Sequence, residues 1–465
     1  MKVALIRCRE DTGARETNVT GIYPPLGLAC LAAALREKGV DVCILDAEAL
    51  GLSAKELLDA IPADAGIIGF TATTLLWPTV RNISFEARRR FPGSLLVAGG
   101  PHVTAFPREC LAGSAFDAGA MGDGEDTICR IAGQWSARGD VAGVPGCAVR
   151  QGSRIDVNGG PQVIRDLDRL PFPALDLLPM DRYRSVMVRM PFSTIVTSRG
   201  CPFRCAFCSQ VYTDWQWNTR SPGNIVDEME RNARRFGSRE IVLFDETFGV
   251  KRGDALEVCR LIVERNLNVR WNARSRVDVL DETLLRAMWG AGCRALHLGV
   301  ESGSQRVLDM MEKRITLRQV ECAAELARRI GFTLHGYFML GYPGETRAEM
   351  LQTARFARRL PLDWASFTVA VPQPMTPLFD LACDRGLMKK DYWREYTLGR
   401  VNTPSPFFTG NGITTRELTR MKNTAYLRFY LRPGTLARDL AFLARAGGLG
   451  RPLAAGWYWL KELLR

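Results

Sequence analysis

Short apolar runs alternate with helical segments twice along this chain, and that alternation limits the fold to parallel α/β architectures. The first series covers residues 1–150. Strands are expected at 3–7, 42–46, 66–71, 95–98 and 118–121. Helices are expected at 25–38, closed by Gly39, and at 54–60, 79–91 and about 125–138. Such a sheet is doubly wound and Rossmann-like, and its ligands bind at the carboxyl ends of the strands. Polar, glycine-rich segments fall at those ends: residues 71–74, Gly99-Gly100-Pro101-His102 and Gly122-Asp123-Gly124-Glu125.

The second series runs from Ser193 to about Val371, with strands expected at 193–198, 240–244, 269–273, 295–300, 333–340 and 364–371. Helices are expected between them at 224–236, 254–264, 281–289, 316–330 and 347–360. Six strand–helix steps fit a partial (β/α)6 barrel better than a closed eight-fold one, and barrel chemistry sits at the carboxyl ends of the strands. The expected organisation is therefore a domain over 1–150, a linker over 151–190, a barrel over 191–400 and a helical cap over 401–465. Pro171, Pro173 and Pro179 stiffen the linker, which carries a small strand or two. Pro433, Gly447, Gly448 and Pro452 interrupt the cap.

The N-terminus, MKVALIRCRED, has too short an apolar run for a signal peptide, and no stretch reaches the about 20 uncharged apolar residues of a membrane span. A cytoplasmic chain with reduced thiols is expected. The net charge of +12 is partly local: from Thr415 onward ten Arg or Lys face three acids. No RNA-binding signature accompanies that charge, so no nucleic acid is expected as a partner; an Arg-rich compositional bias explains it best.

Within this frame stands Cys201-Pro-Phe-Arg-Cys205-Ala-Phe-Cys208, just after an apolar run. Three thiolates on one loop can hold three irons of a 4Fe–4S cube, and no fourth Cys follows at ferredoxin spacing, which leaves one iron open to a substrate. Zinc sites use paired modules with Cys or His partners, but the nearest His are His102 and His297. A disulfide framework does not suit thirteen irregularly spaced Cys in a long chain. Chance clustering in a Cys-rich chain is the remaining alternative. Isolated cysteines such as Cys259, Cys293 and Cys322 read as buried small hydrophobes.

The triplet, with an aromatic residue before its last Cys, resembles the radical S-adenosylmethionine (radical SAM) family, whose open iron chelates SAM. The resemblance implies Cys201, Cys205 and Cys208 as cluster ligands. It extends to Asp245 in Phe-Asp-Glu-Thr-Phe, to Arg274 in Trp-Asn-Ala-Arg-Ser-Arg, to Glu301 in Gly-Val-Glu-Ser-Gly-Ser and to Gly341 in Gly-Tyr-Pro-Gly-Glu. All four are implied as SAM contacts. Taken alone, a strand-end Glu is a surface acid and an Asp after a strand is a helix cap; their order behind the cysteines carries the resemblance.

Residues 1–150 are similar to the cobalamin-binding domain of cobalamin-dependent radical SAM enzymes, through Pro24-Pro-Leu-Gly-Leu28, Phe70-Thr-Ala-Thr-Thr74 and the two glycine segments named above. The resemblance implies Thr71, Thr73, Thr74, Trp77, Gly99, Gly100, His102, Gly122, Gly124 and Glu125 as cobalamin contacts. Many cobalamin domains place a cobalt-ligating His after the first strand; residues 7–18 contain none. We therefore expect the loop 73–77 beneath the corrin, with Leu76 or Trp77 over its lower face. Trp77 as core filler and His102 as a satisfied structural residue are the plain alternatives, as is a flavodoxin-like or other nucleotide-binding domain.

The resemblance implies an enzyme in which the reduced cluster cleaves SAM to a 5′-deoxyadenosyl radical, and methylcobalamin then methylates an unactivated carbon of a lipid, isoprenoid, tetrapyrrole or natural-product substrate. It also implies an electron donor such as flavodoxin or ferredoxin. Cyclisation or rearrangement on the same architecture, a barrel with an empty N-terminal domain, and a non-catalytic cobalamin or iron–sulfur sensor are the rival readings. Cys8, Cys30 and Cys43 do not form the extra cluster of methylthiotransferases. The Arg-rich, aromatic C-terminal region, which includes Phe429-Tyr-Leu-Arg-Pro433 and ends in Gly456-Trp-Tyr-Trp-Leu-Lys-Glu-Leu-Leu-Arg465, is expected either to touch a membrane surface or to cap the barrel.

Overall fold

Parallel strands that are buried on both faces read as continuous apolar runs, and five of them build the first sheet. In this computed structural model, which describes residues 1–9, 21–185, 187–209, 215–401 and 412–432, the strand order is Asp41–Asp46, Lys2–Arg7, Ala65–Thr71, Leu95–Gly99 and Ala118–Ala120. Neighbours are parallel, in registers such as Leu5↔Ile44 and Leu5↔Gly69. Val3, Ala4, Leu5, Ile6, Ile67, Ile68, Leu96 and Ala98 form its buried centre. The strand order reverses beside Lys2–Arg7, which makes a topological switch point there.

The sheet does not end as a purely parallel one. Cys147–Gln151 and Arg154–Asn158 add an antiparallel hairpin to its edge. The two-residue Gly152-Ser153 connection, with Gly152 at φ +61°, is the turn chemistry that makes this hairpin. Part of the expected linker is thus strand.

The helices between the strands follow the expected bounds within a few residues. Leu26–Glu37 turns Leu28, Ala29, Ala32 and Leu35 inward, and Gly39, at φ +73°, follows its end. Trp77–Arg90 begins with Pro78 in its first turn, where a missing N–H costs nothing. This compact unit comprises Met1–Pro202, Ser209–Arg239 and Lys389–Ser405. The short helix Tyr392–Thr397 belongs to it: the Trp77 indole N–H donates to the Thr397 carbonyl at 2.9 Å, and the Tyr396 hydroxyl to the Thr74 carbonyl at 2.9 Å.

The second unit comprises Phe203–Cys208, Glu240–Met388 and Pro406–Arg465. Its five parallel strands lie in chain order: Glu240–Leu243, Arg270–Ser275, Cys293–Glu301, Thr333–Leu340 and Trp364–Val369. The sixth expected strand is present as Phe192–Ile195 and belongs to the first unit. Helices alternate with the strands. Leu317–Ile330 buries Val320, Ala323, Ala324 and Ala327, one face at helical spacing, and starts with a Thr316–Gln319 capping box. Along Cys293–Glu301, Leu296, Leu298 and Val300 are fully buried, while His297 and Gly299 on the other face keep partial access.

Trp364–Val369 ends the order, and its outer backbone groups need partners. The helix Thr415–Tyr430 supplies them. The Tyr430 hydroxyl donates to the Ala365 carbonyl at 3.0 Å and accepts from its N–H at 3.2 Å, and the Tyr426 hydroxyl accepts from the Phe367 N–H at 3.1 Å. Of the C-terminal residues expected to touch a membrane or cap the barrel, 429–432 are described, with Phe429 fully buried, and 433–465 lie outside the described residues. No helix among the described residues is long and apolar enough to cross a membrane.

Candidate cofactor sites

A cavity of about 340 Å³ opens at the carboxyl ends of the first unit's parallel strands, at the switch point. Of the ten expected cobalamin contacts, Thr71, Gly99, Gly100, Gly122, Gly124 and Glu125 line it, together with Leu26, Cys30, Val97, Val196 and Arg199. Two of its glycines are spatially required. Gly122 has φ +78°, and a Cβ there would meet the Gln162 carbonyl oxygen at 2.2 Å; at Gly100, φ +102°, it would meet the Ala72 oxygen at 2.8 Å. At its glycines the wall is backbone rather than side chain, and the rest of the lining is largely apolar, which suits a ring-shaped cofactor. The Cys30 thiol is pushed up to about 12 by burial and is neutral.

Arg199 closes one side of the cavity. Its guanidinium pairs with Glu125 and with Asp123 at 3.0 Å. Burial raises the Asp123 carboxyl above its ordinary range, and the Arg199 charge partly offsets that. The sequence reading included Glu125 but not Arg199; an arginine two residues before a cluster cysteine carries no signal without the fold.

The remaining four expected contacts lie elsewhere. Thr73, Thr74, Trp77 and His102 are not among the lining residues. Trp77 and His102 are fully buried, with ring centroids 5.2 Å apart. The Thr397 hydroxyl donates to the Trp393 carbonyl at 2.7 Å, so it accepts from His102 Nε2–H at 3.1 Å; Nδ1 then accepts from the Thr74 hydroxyl at 3.3 Å. Burial lowers the His102 pKa to about 3, and the ring is neutral. Both residues thus have the packing role that was their plain alternative. On the same loop Leu75, not Leu76 or Trp77, is the exposed apolar side chain, at 51%.

In the second unit the cluster loop is held tightly. The Ala206 N–H donates to the Met311 carbonyl at 2.9 Å, and the Ala206 carbonyl accepts from Leu378 N–H at 2.9 Å. The Cys208 N–H donates to the Cys205 carbonyl at 3.0 Å, closing a turn. Phe207, the aromatic before the last cysteine, packs on Val307, Met311, Tyr342 and Leu378. Cys205 is buried and Cys208 half-buried. Cys201 is buried in the first unit; it follows Gly200, where φ is +81° and a Cβ would strike the Gln216 carbonyl. The thiol set, with the Arg276 guanidinium 3.6 Å from Cys205 Sγ, suits thiolate ligation. Among the described residues no three His, Cys, Asp or Glu groups converge on one ion; a cube instead gives each thiolate its own iron.

The expected SAM contacts lie at strand ends of this unit. Asp245 is buried just beyond Glu240–Leu243. Glu301, at φ +67°, ends Cys293–Glu301, and its carboxylate accepts from Lys313 Nζ at 2.9 Å in a buried pair. Gly299 makes room for that pair, since a Cβ would lie 2.7 Å from Glu301 Oε1 and 2.8 Å from Lys313 Nζ. Gly341, at φ +80°, donates its N–H to Glu345 Oε2 at 2.6 Å, and Tyr342 N–H does so at 3.1 Å. Burial raises the Glu345 carboxyl to about 8.

Arg274 stands 5.0 Å over the Phe244 ring, in a layer with Tyr337, His297 and His335. Burial brings the two histidines to about 3 and about 4, so both are neutral. Arg276, two residues on, is the arginine against the cluster loop. Neither Arg276 nor Lys313 was singled out in the sequence. Cys259 and Cys293 are buried as expected, whereas Cys322 is exposed: it lies outside the apolar stripe of Leu317–Ile330.

Comparison with known proteins agrees with both halves. The Radical SAM superfamily model matches residues 195–357 and the B12 binding domain model residues 15–132. An uncharacterized methyltransferase of Pyrococcus horikoshii is 34% identical over 447 residues, 95% of each chain. The anaerobic magnesium-protoporphyrin IX monomethyl ester cyclase of Rubrivivax gelatinosus is 28% identical, over 93% of this chain and 78% of its own. In fold, the chain is similar to the radical S-adenosylmethionine methyltransferase TsrM from Kitasatospora setae, solved with cobalamin and a [4Fe-4S] cluster bound: TM-score 0.75, 19% identity, 93% of this chain and 91% of that one. This chain therefore belongs to the radical SAM superfamily, in the branch that carries a B12-binding domain, and is an enzyme whose cofactors are a 4Fe–4S cluster, S-adenosylmethionine and cobalamin.

Proposed function

We propose that this enzyme methylates an unactivated carbon of a small molecule, drawing electrons from a flavodoxin- or ferredoxin-like donor. Cys201, Cys205 and Cys208 hold the cluster in this reading. Asp245, Arg274, Glu301 and Gly341 surround SAM, and the residues lining the first unit's cavity surround the corrin. The observation that carries it is that glycine-walled cavity at the switch point, which offers room for a second cofactor. A relative named as a methyltransferase and matched along 95% of both chains supports methyl transfer over other outcomes.

When bound, the cluster and SAM supply one-electron cleavage of a carbon–sulfur bond, and cobalamin supplies a methyl carrier. The chain's own residues orient and shield. Lys313 fixes the Glu301 carboxylate at its strand end, and Glu345 fixes the 341–342 backbone. The buried setting of Asp245 and Glu301 keeps water from competing for their contacts.

Anaerobic reconstitution with iron, sulfide and cobalamin, then incubation with methyl-labelled SAM and cell extract, tests the proposal. A labelled small-molecule product and deoxyadenosine are expected, both lost in Cys205→Ala. Deoxyadenosine formation that survives Cys205→Ala would overturn it. Similarity to the Rubrivivax cyclase favours one second reading, oxidative ring closure; a product without labelled methyl would select that reading.

A further inference from the structure

Arg276 is buried to 4% exposure, and each of its three guanidinium nitrogens makes a hydrogen bond. Nε and Nη2 each bond the Asp278 carboxylate at 3.0 Å. Nη2 also donates to the Lys313 carbonyl at 2.7 Å. Nη1 donates to Cys205 Sγ at 3.6 Å. The guanidinium lies 3.8 Å from the Phe203 ring centroid, so an aromatic face of the cluster loop covers it. The fork leaves little freedom to turn away from sulfur: Asp278 fixes one edge, the Lys313 carbonyl a second direction, and Phe203 the plane.

We infer that Arg276 is a positioning residue for the cluster, which holds the Cys205 thiolate by a charged hydrogen bond and raises the reduction potential of the iron–sulfur centre. This rests on the reading of Cys205 as a ligand. Adding an electron to a thiolate-bound cluster adds negative charge, and hydrogen bonds to its sulfurs together with burial set how well that charge is accepted. A buried cation at one sulfur stabilises the reduced form more than the oxidised one. Asp278 opposes it: its carboxylate withdraws part of the Arg276 charge. The potential is therefore set by a balanced pair, and the two partners should act with opposite sign.

The test is an electron paramagnetic resonance redox titration of the full-length reconstituted enzyme without SAM, with iron and sulfide content measured alongside. Arg276→Gln is expected to load its cluster and to lose tenfold in the reduced-to-oxidised ratio at a fixed potential, which is 59 mV for a one-electron couple. Arg276→Lys, which keeps the charge, should recover part of that shift. Asp278→Asn should move the potential in the positive direction. A fully loaded Arg276→Gln with the wild-type potential overturns the inference. If Arg276→Gln fails to fold, an unchanged potential in Asp278→Asn overturns it instead. A full cluster signal in Cys205→Ala would sink the ligand assignment, a separate outcome from an unshifted potential.

Discussion

Arg199 grips Glu125 with two parallel hydrogen bonds, of 3.1 and 2.5 Å, at the wall of the first unit's cavity. Glu125 opens the helix Glu125–Arg138, while Arg199 stands in the short strand Ser198–Arg199 that runs into Gly200 and Cys201. One ion pair thus ties the wall of the expected corrin site to the chain that enters the cluster loop.

Removing Arg199 leaves two carboxylates, Glu125 and Asp123, facing the cavity without a counter-charge. The pair is part-buried, so breaking it costs less than the ~3–5 kcal/mol of a fully buried pair. Arg199→Ala is expected to lower the unfolding free energy by less than that limit, read from urea unfolding, and to weaken hydroxocobalamin binding, read by absorbance titration. Glu125→Gln, which leaves Asp123 as partner, should cost less. Equal stability in wild type and Arg199→Ala would show that the pair is not a brace.

Gly122→Ala tests the wall directly. The residue sits at φ +78°, and the added methyl carbon would lie 2.2 Å from the Gln162 carbonyl, so backbone must move. The left-handed conformation alone costs about 1–2 kcal/mol for a residue with a Cβ. The expected result is a lower thermal midpoint and loss of hydroxocobalamin binding. Gly133→Ala, inside the helix Glu125–Arg138 where a Cβ meets nothing, should keep hydroxocobalamin binding and raise rather than lower the midpoint.

Lys313 and Glu301 form a buried pair beside Gly299, and the strained φ of +67° at Glu301 aims its carboxylate. Lys313→Met should destabilise by ~3–5 kcal/mol because it leaves a buried carboxylate alone. Glu301→Gln keeps the shape and should fold with a smaller loss, yet bind SAM more weakly in equilibrium dialysis of the reconstituted enzyme. Unchanged SAM affinity in a folded Glu301→Gln would remove Glu301 from the SAM site.

The sequence carried the architecture because strand and helix periods are local. The run around Leu96, the stripe of Val320, Ala323, Ala324 and Ala327, and the Gly39 stop each need only their neighbours. Glycine segments at strand ends were legible for the same reason, and Gly99, Gly100, Gly122 and Gly124 do line one cavity. What stayed hidden depends on distant chain. His102 and Trp77 looked like ring contacts, but Thr397, about three hundred residues away, takes their hydrogen bonds. Arg276 and Lys313 look like ordinary surface cations until the fold buries them beside Cys205 and Glu301. Arg154–Asn158 is the small strand expected in the linker; its pairing with Cys147–Gln151 at the sheet edge depends on the fold.

Glu345 gives the molecule a pH signature. Burial, the dominant cause, raises its carboxyl to about 8, although the Gly341 and Tyr342 N–H groups favour the charged form. A raised acid pKa means that the folded state holds the proton more tightly than the unfolded one. Stability is then fully present below the ordinary carboxylate range, falls as pH rises from there to about 8, and changes no further above that. The fall approaches about 1.4 kcal/mol per pH unit within the window. Glu345→Gln keeps an acceptor for both N–H groups and cannot ionise, so its stability should lack this slope. Urea midpoints at about pH 5.5 and about pH 8.5 measure it: wild type should lose stability relative to Glu345→Gln between them. Parallel lines for the two proteins would mean that the carboxyl ionises in the folded protein as it does in the unfolded chain.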